Sequence, residues 1–265
     1  MEFDAFELDR GEDGVVTVTL SRPEKLNALT FETYRQLCDF FGSEAHSETT
    51  RVIILTGRGR GFCSGGDVQE IIGELRGAKM KRVLEFAWMT GELVQKIRTC
   101  DRPVIAAVNG TCAGAGAVIA AACDFRVMAE ETSISFLFTR VGLTGADMGA
   151  AWLLPRLVGM GRATEILMLG EKIPAREALE MGLVNRVVPA EEVLPEALRL
   201  AEKLLAGPAL GQRVTKRMLN NEWNMDLASA IESEAQAQAL MMLGEDHTEF
   251  FRAFEEKRPP RFRGE

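Results

Sequence analysis

Twice in this chain a continuous apolar run meets a glycine-rich turn and then a stretch suited to start a helix. The two segments are VIILTGRGRGFCSGGDVQE (52–70) and VIAAVNGTCAGAGAVIAAACD (104–124). An apolar run without alternation predicts a buried strand. Repeated strand–turn–helix units followed by a helical tail predict an α/β core with a C-terminal helical arm. Each turn also presents free N–H groups and the positive end of a helix dipole, which favour an oxygen carrying negative charge. If both converge on one carbonyl, they form an oxyanion hole.

The rest of the chain fits the same plan. Val15–Leu20 alternates as a strand does, and SRPEKLNAL makes a turn. Thr30 is a good N-cap, with Thr33 in the capping-box position, for a helix to about Ala45. Asp67 and Glu70 outline a second capping box. A long helix is expected over Val83–Thr99, strands over Val104–Val108 and Phe125–Ala129, and a small-residue helix over Ala115–Cys123. From Gly149 the pattern turns helical (150–158, 162–169, 175–181, 191–205, 209–221 and 226–243, then one short helix). Val184–Val188 is a short strand in this reading.

Composition excludes several classes. The 265 residues carry a net charge of -8, which argues against nonspecific nucleic-acid binding. Five cysteines at wide spacing, with no C-x-x-C, fit a reduced cytoplasmic protein and no metal site. The acidic start, MEFDAFELDR, is no signal peptide. Pro103–Cys123 is long enough to cross a bilayer, but Asn109 and three glycines make it a strand, a turn and a helix. The two histidines, His46 and His247, both read as surface residues, so neither a nucleophile–histidine triad nor a His-ligated metal is supported. After Gly114-Ala-Gly116 the third fingerprint position is Ile119, so a dinucleotide motif does not fit; no P-loop exists.

RPEKLNAL, GRGFCSGGDV, RPVIAAVNGTCAGAGAVIAAACDFRV, GADMGAAWLLPRLVG, MGLVNRVV and FEEKRPPRF occur in that order across nearly the whole chain. In these segments the sequence resembles the crotonase, or enoyl-CoA hydratase/isomerase, superfamily. The resemblance implies a spiral of ββα units over residues 1–200 with a C-terminal helical region, 201–265, that forms trimers or paired trimers. It implies a CoA thioester as substrate, with no cofactor beyond that coenzyme A. Carried over by position, the oxyanion donors are the N–H groups of Gly66 and Ala115, the latter standing where glycine is usual. Substrate contacts would come from Lys25, Ala28, Ser64, Gly65, Asp67, Val68, Gly114, Val118 and Phe138. Phe254 and Lys257 would be contributed by a neighbouring subunit. For Lys25 a solvated surface role, and for Asp67 a helix cap, are the competing readings.

One departure bears on the reaction. The two glutamates of the family's hydratases align with Val118 and Phe138, whose side chains cannot take a proton. Asp147, in a loop resembling that of the family's isomerases, is the remaining catalytic carboxylate. Met148, Trp152 and Leu143 are expected to make its surroundings apolar and raise its pKa. The competing role is a cap for a helix beginning near Met148. Double-bond isomerisation through an enolate leads. An unconventional hydratase, a thioester hydrolase, decarboxylase or C–C lyase, and a non-catalytic acyl-CoA binding subunit stay open. Arg140 is expected in a structural salt bridge, with binding of an acidic acyl group as the competing role, Asp124 in a local pair, Glu130 and Glu131 in a solvated turn, and Cys63 and Cys112 in packing. Phe136, Phe138, Trp88 and Trp152 hint at a bulky acyl pocket.

Overall fold

The structure, a computed structural model, describes residues 3–44 and 47–264. His46 and the expected helix end at Ala45 lie outside them. In chain order the elements are β1 (Phe6–Arg10), β2 (Val15–Leu20), α1 (Phe31–Glu44), β3 (Val52–Gly57), β4 (Gly61–Cys63), α2 (Met80–Thr99), β5 (Val104–Val108), β6 (Thr111–Ala113) and α3 (Ala115–Ala122). There follow β7 (Phe125–Ala129), β8 (Ser133–Ser135), α4 (Ala150–Val158), α5 (Met160–Leu169), β9 (Lys172–Pro174), α6 (Ala175–Glu180) and β10 (Arg186–Val188). The last four are α7 (Val193–Leu205), α8 (Ala209–Asn221), α9 (Leu227–Met242) and α10 (Glu245–Glu255).

Two sheets share the strands. One has the order β1-β2-β3-β5-β7-β10, the other β4-β6-β8-β9. Only the β1–β2 and β8–β9 pairs are antiparallel. Each of the pairs β3/β4, β5/β6 and β7/β8 sends a longer strand to the first sheet and a short one to the second before a helix returns the chain. This is a ββα spiral.

The apolar runs are continuous because the first sheet is covered on both faces. Val52, Ile54, Ile105, Ala107 and Val127 pack under Val193, Ala197 and Ala201 of α7. The alternate residues Ile53, Leu55, Val104, Ala106 and Val108 face Leu37, Phe40 and Phe41 of α1 and Leu93 and Ile97 of α2. Ile54 and Leu55 are fully enclosed. Truncating either to alanine leaves a cavity that costs about 2–5 kcal/mol.

The expected strands and helices are present, with shifted ends. Thr30 caps α1 as anticipated: its hydroxyl accepts from Thr33 N at 3.1 Å. The capping box at Asp67 is only half made. Asp67 accepts from Gln69 N and Glu70 N, but its own N–H goes to Leu29 O and Glu70 turns to Arg22. The segment after it is one wide turn, Val68–Gly73, with π-type bonding. Unanticipated are β1 and the whole second sheet, whose strands are three residues long. The predicted strand Val184–Val188 begins only at Arg186, since Asn185 is taken up by Arg126 N at its Oδ1.

Candidate active site

The first turn, Ser64–Asp67, is held from below by the RPEKLNAL segment. Asn27 is buried with φ 55° and donates to Arg58 O and Gly61 O, at 3.0 and 2.7 Å. Its Oδ1 accepts from Arg22 N at 3.0 Å. Ser64 Oγ donates to Lys25 O at 3.2 Å, and Ala28 N donates to the same carbonyl. Lys25, Ala28 and Ser64 therefore stand together at the rim, with the Lys25 side chain exposed. Leu29 bridges Gly66: its N–H goes to Gly65 O, and its carbonyl accepts from Asp67 N, both at 2.8 Å. The Gly66 N–H between them has no backbone acceptor among the described residues.

The second turn has the same outcome by a different route. Gly114 has φ 53° and ψ -123°, a conformation that L side chains resist. Its N–H donates to Ser135 O at 2.8 Å, while Ala115 N, the first of α3, finds no backbone acceptor. The two turns touch. A Cβ added to Gly65, whose φ is 103°, would sit 3.2 Å from Ala113 O and 3.5 Å from Ala115 N. A Cβ on Gly116 would sit 2.3 Å from Cys63 O. Glycine at 65 and 116 thus lets the two backbones meet, while at 114 it serves the positive φ.

Asp147 lies in the loop before α4. The cap of that helix is Gly149, with no side-chain hydrogen bond, so the helix-cap reading of Asp147 fails. Asp147 Oδ1 accepts instead from the adjacent Met148 N at 2.9 Å, in a loop where Met148 has φ 51°. Burial pushes its carboxyl above the ordinary aspartate range, and the Met148 N–H pulls back weakly. Of the three apolar neighbours expected, only Met148 is buried; Leu143 is 54% and Trp152 37% exposed. Trp152 lies under the Arg156 guanidinium, 3.9 Å from ring centroid. Val118 and Phe138 are buried among apolar groups of the core, and neither can move a proton.

Asp67 is no base. Its two N–H donors and Arg22, 3.3 Å away, hold its carboxyl below the usual value. Val68 is exposed next to it. Arg140 is exposed and makes no ion pair among the described residues, contrary to expectation; its side chain lies instead over Gly170. Asp124 pairs with Lys216 of α8 at 2.7 Å and Arg98 at 3.5 Å, so its partner in sequence is far from local. Glu130 and Glu131 are exposed. The buried thiols are pushed up, Cys63 to about 12, so both Cys63 and Cys112 are inert packing groups. Phe136 is core; Trp88 is exposed on α2. Phe254 is exposed on α10, Lys257 follows it, and that helix packs chiefly on α9. His247, as expected, is exposed near the α10 start.

Sequence reasoning missed the knot at Asn27 and the anchor at Arg22. Asn in a Pro-containing turn was the only available hint.

Comparison with known proteins is consistent across the whole chain. Residues 10–265 match the family model described as enoyl-CoA hydratase/isomerase. The chain is 34% identical over 259 residues to 1,2-epoxyphenylacetyl-CoA isomerase of Escherichia coli, covering 98% of each. It is 38% identical over 252 residues to a probable enoyl-CoA hydratase of Rhodobacter capsulatus, covering 95% of each. A crystal structure from Streptomyces coelicolor, provisionally described as an enoyl-CoA hydratase, superposes with TM-score 0.97 at 50% identity, covering 100% of this chain and 96% of that one.

Proposed function

We propose that this chain, which belongs to the enoyl-CoA hydratase/isomerase family, moves a double bond within an acyl-CoA thioester through an enolate. The observation that carries this reading is Asp147. It is a half-buried carboxylate with a raised pKa, and the positions Val118 and Phe138 offer no acid or base. One carboxylate suffices for isomerisation. Asp147 removes an α-proton from a 3-enoyl chain, the C–H pair delocalises onto the thioester oxygen as a dienolate, and the proton returns to the γ-carbon as the double bond settles between the α- and β-carbons.

The oxygen so charged is received by the N–H groups of Gly66 and Ala115. Both lack a backbone acceptor, and their turns are in contact. Each such donor is worth on the order of 3 kcal/mol of barrier, and proton transfer by Asp147 about 100- to 10,000-fold in rate. Lys25, Ala28, Ser64, Gly65, Asp67, Val68 and Gly114 form the surroundings of the coenzyme A and the thioester, with Asp67 acting as a cap and not as a base. No group beyond the substrate's own coenzyme A is required.

In this reading the helical region, 201–265, assembles copies of the chain. Leu227, Leu243 and Phe254 are 77%, 85% and 71% exposed there, more apolar surface than a monomer usually shows. Three or six chains per particle by light scattering is the expected result, with Phe254 and Lys257 reaching a neighbour's site. Five free buried cysteines suit a reducing cytoplasm.

Asp147→Asn tests the base. The variant is expected to lose solvent-deuterium uptake into 3-enoyl-CoA by about 100-fold or more; uptake at the parental rate removes Asp147 from the mechanism. In the parent, kcat/KM rises with pH through the Asp147 pKa, because the base must be ionised. The folded pKa lies above the unfolded one, so stability falls as pH rises through that window. Asp147→Asn is therefore expected to melt no lower than the parent at neutral pH.

A hydratase is the second reading, favoured by the names of several relatives. It predicts loss of absorbance with crotonyl-CoA that also depends on Asp147.

A further inference from the structure

Strands β3 and β5 start at the end of the sheet opposite the two glycine turns. Ile53 pairs with Val104, and two residues earlier the neighbouring chains carry Arg51 and Arg102. Partners in such a ladder lie about 5 Å apart. Arg102 is 8% exposed; its Nη2 donates to Ser47 O, and its enclosed Nε has no partner among the described residues. Arg51 is half-buried and reaches only Gly207 O, at 3.5 Å, just ahead of α8.

Helix α8 closes the third side. Arg217 donates to both oxygens of Asp101 at 3.2 Å, and Lys216 Nζ donates to Arg102 O at 2.9 Å. Arg213 precedes these two by four and three residues, which puts it on the same helix face one turn earlier. It therefore stands between the Arg102 backbone and the Gly207 carbonyl that Arg51 touches. The Arg213 Nε is enclosed and unpaired as well. Burial first, and then the Arg213 charge, pull Arg102 below the ordinary arginine range, with Arg51 adding to them.

None of the three arginines makes an ion pair among the described residues. The carboxylates around them are taken: Asp101 by Arg217, Glu44 by Arg10, and Asp124 by Lys216 and Arg98. Glu48, on the loop before β3, is exposed. A chain of net charge -8 thus gathers three guanidiniums at one joint and gives them no counter-charge. Like charges held together, one of them buried, are costly unless an anion offsets them.

We propose that Arg51, Arg102 and Arg213 form a binding site for a phosphate group, which fastens α8 to the ends of β3 and β5. Guanidinium forks match the oxygens of a phosphate, two N–H groups to two oxygens. Each arginine has donors to spare. Nη1 of Arg102, both Nη of Arg213, and Nε and Nη1 of Arg51 have no acceptor among the described residues. The lengths of β3 and β5 separate this site from the glycine turns by about 15–20 Å, so it is distinct from the place of the thioester.

The test is thermal unfolding of the full-length protein at neutral pH, titrated with inorganic phosphate against sodium chloride of matched ionic strength. Phosphate is expected to raise the melting temperature saturably and to slow amide exchange in α8. In Arg213→Gln and in Arg51→Gln the half-saturating concentration should rise about tenfold or more. Arg176→Gln removes an exposed charge on α6 and should leave it within about twofold. A parental response in either of the first two variants puts the anion elsewhere and overturns the proposal. So does a rise that chloride matches, an equal loss in Arg176→Gln, or exchange in α8 that phosphate does not slow. Glycerol 3-phosphate distinguishes the sources. A response equal to that of phosphate supports the site as one for phosphate monoesters, and a response to inorganic phosphate alone supports it as one for the free ion.

Discussion

The two strand–turn–helix units begin alike and end in opposite surroundings. After Ala115 comes AGAVIAAA, a helix buried along its entire length. Its far end is closed by Arg126, whose guanidinium donates to Leu183 O and Cys123 O at 2.7 and 2.5 Å, and more loosely to Ala120 O and Ala121 O. After Gly66 comes VQEIIG, a single wide turn with Val68 in solvent. It is secured at its rim by Arg22, which reaches Asp67 and Glu70 at 3.3 and 2.6 Å. The same presentation of a free N–H can thus rest on a dry, close-packed frame or on a wet, charged one. Small residues make the first kind of frame possible, since only they allow α3 to lie against Cys63.

Mutations should expose this asymmetry. The largest effect is expected at Gly116→Ala, whose new methyl meets backbone at 2.3 Å. Urea unfolding should show a loss of about 3 kcal/mol; a loss under 1 would mean that α3 can shift and is not rigid. Next comes Arg126→Met, which strips the carbonyls at the end of α3 and should cost on the order of 3 kcal/mol. Its counterpart on the wet side, Arg22→Met, removes part-exposed ion pairs and should cost about 1. Equal losses would erase the distinction between the frames.

Asp67→Ala removes a cap and should cost about 1 kcal/mol. Its sign with pH is fixed by a folded pKa below the ordinary 3.8. The parent's advantage is full above that value and vanishes as pH falls through the lower folded one. Acid denaturation of the two proteins should therefore converge at low pH. Smallest is Gly66→Ala. Its methyl meets only the Ile71 Cδ1, at 3.6 Å, so stability should hold within about 0.5 kcal/mol in the same urea assay.

Legibility in the sequence followed the same division. The buried strands β3, β5 and β7 and the helix α3 could be read within a residue or two, because full burial leaves an unbroken apolar run, and α1 and α8 through the Thr30 cap and the Gly207-Pro208 break before them. The second sheet could not. Strands such as Gly61–Cys63 and Thr111–Ala113 are too short to show a period, and they exist only because they pair with one another across about fifty residues. The capping box at Asp67 was half wrong for a related reason: Glu70 had a better partner in Arg22, far upstream. Arg140 was expected to pair and makes no ion pair among the described residues, since sequence neighbours say little about which loops adjoin.

The sequence alone determined the class of fold, the two glycine-rich turns and, at Val118 and Phe138, side chains that cannot take a proton. These depend on local rules: apolar period, glycine where a side chain is barred, and side-chain chemistry. Contact between the two turns, the exclusion of Asp147 from capping and the rise of its pKa were decided by tertiary structure. Each depends on distance and burial between residues remote along the chain, and a one-dimensional pattern does not encode the desolvation that sets them.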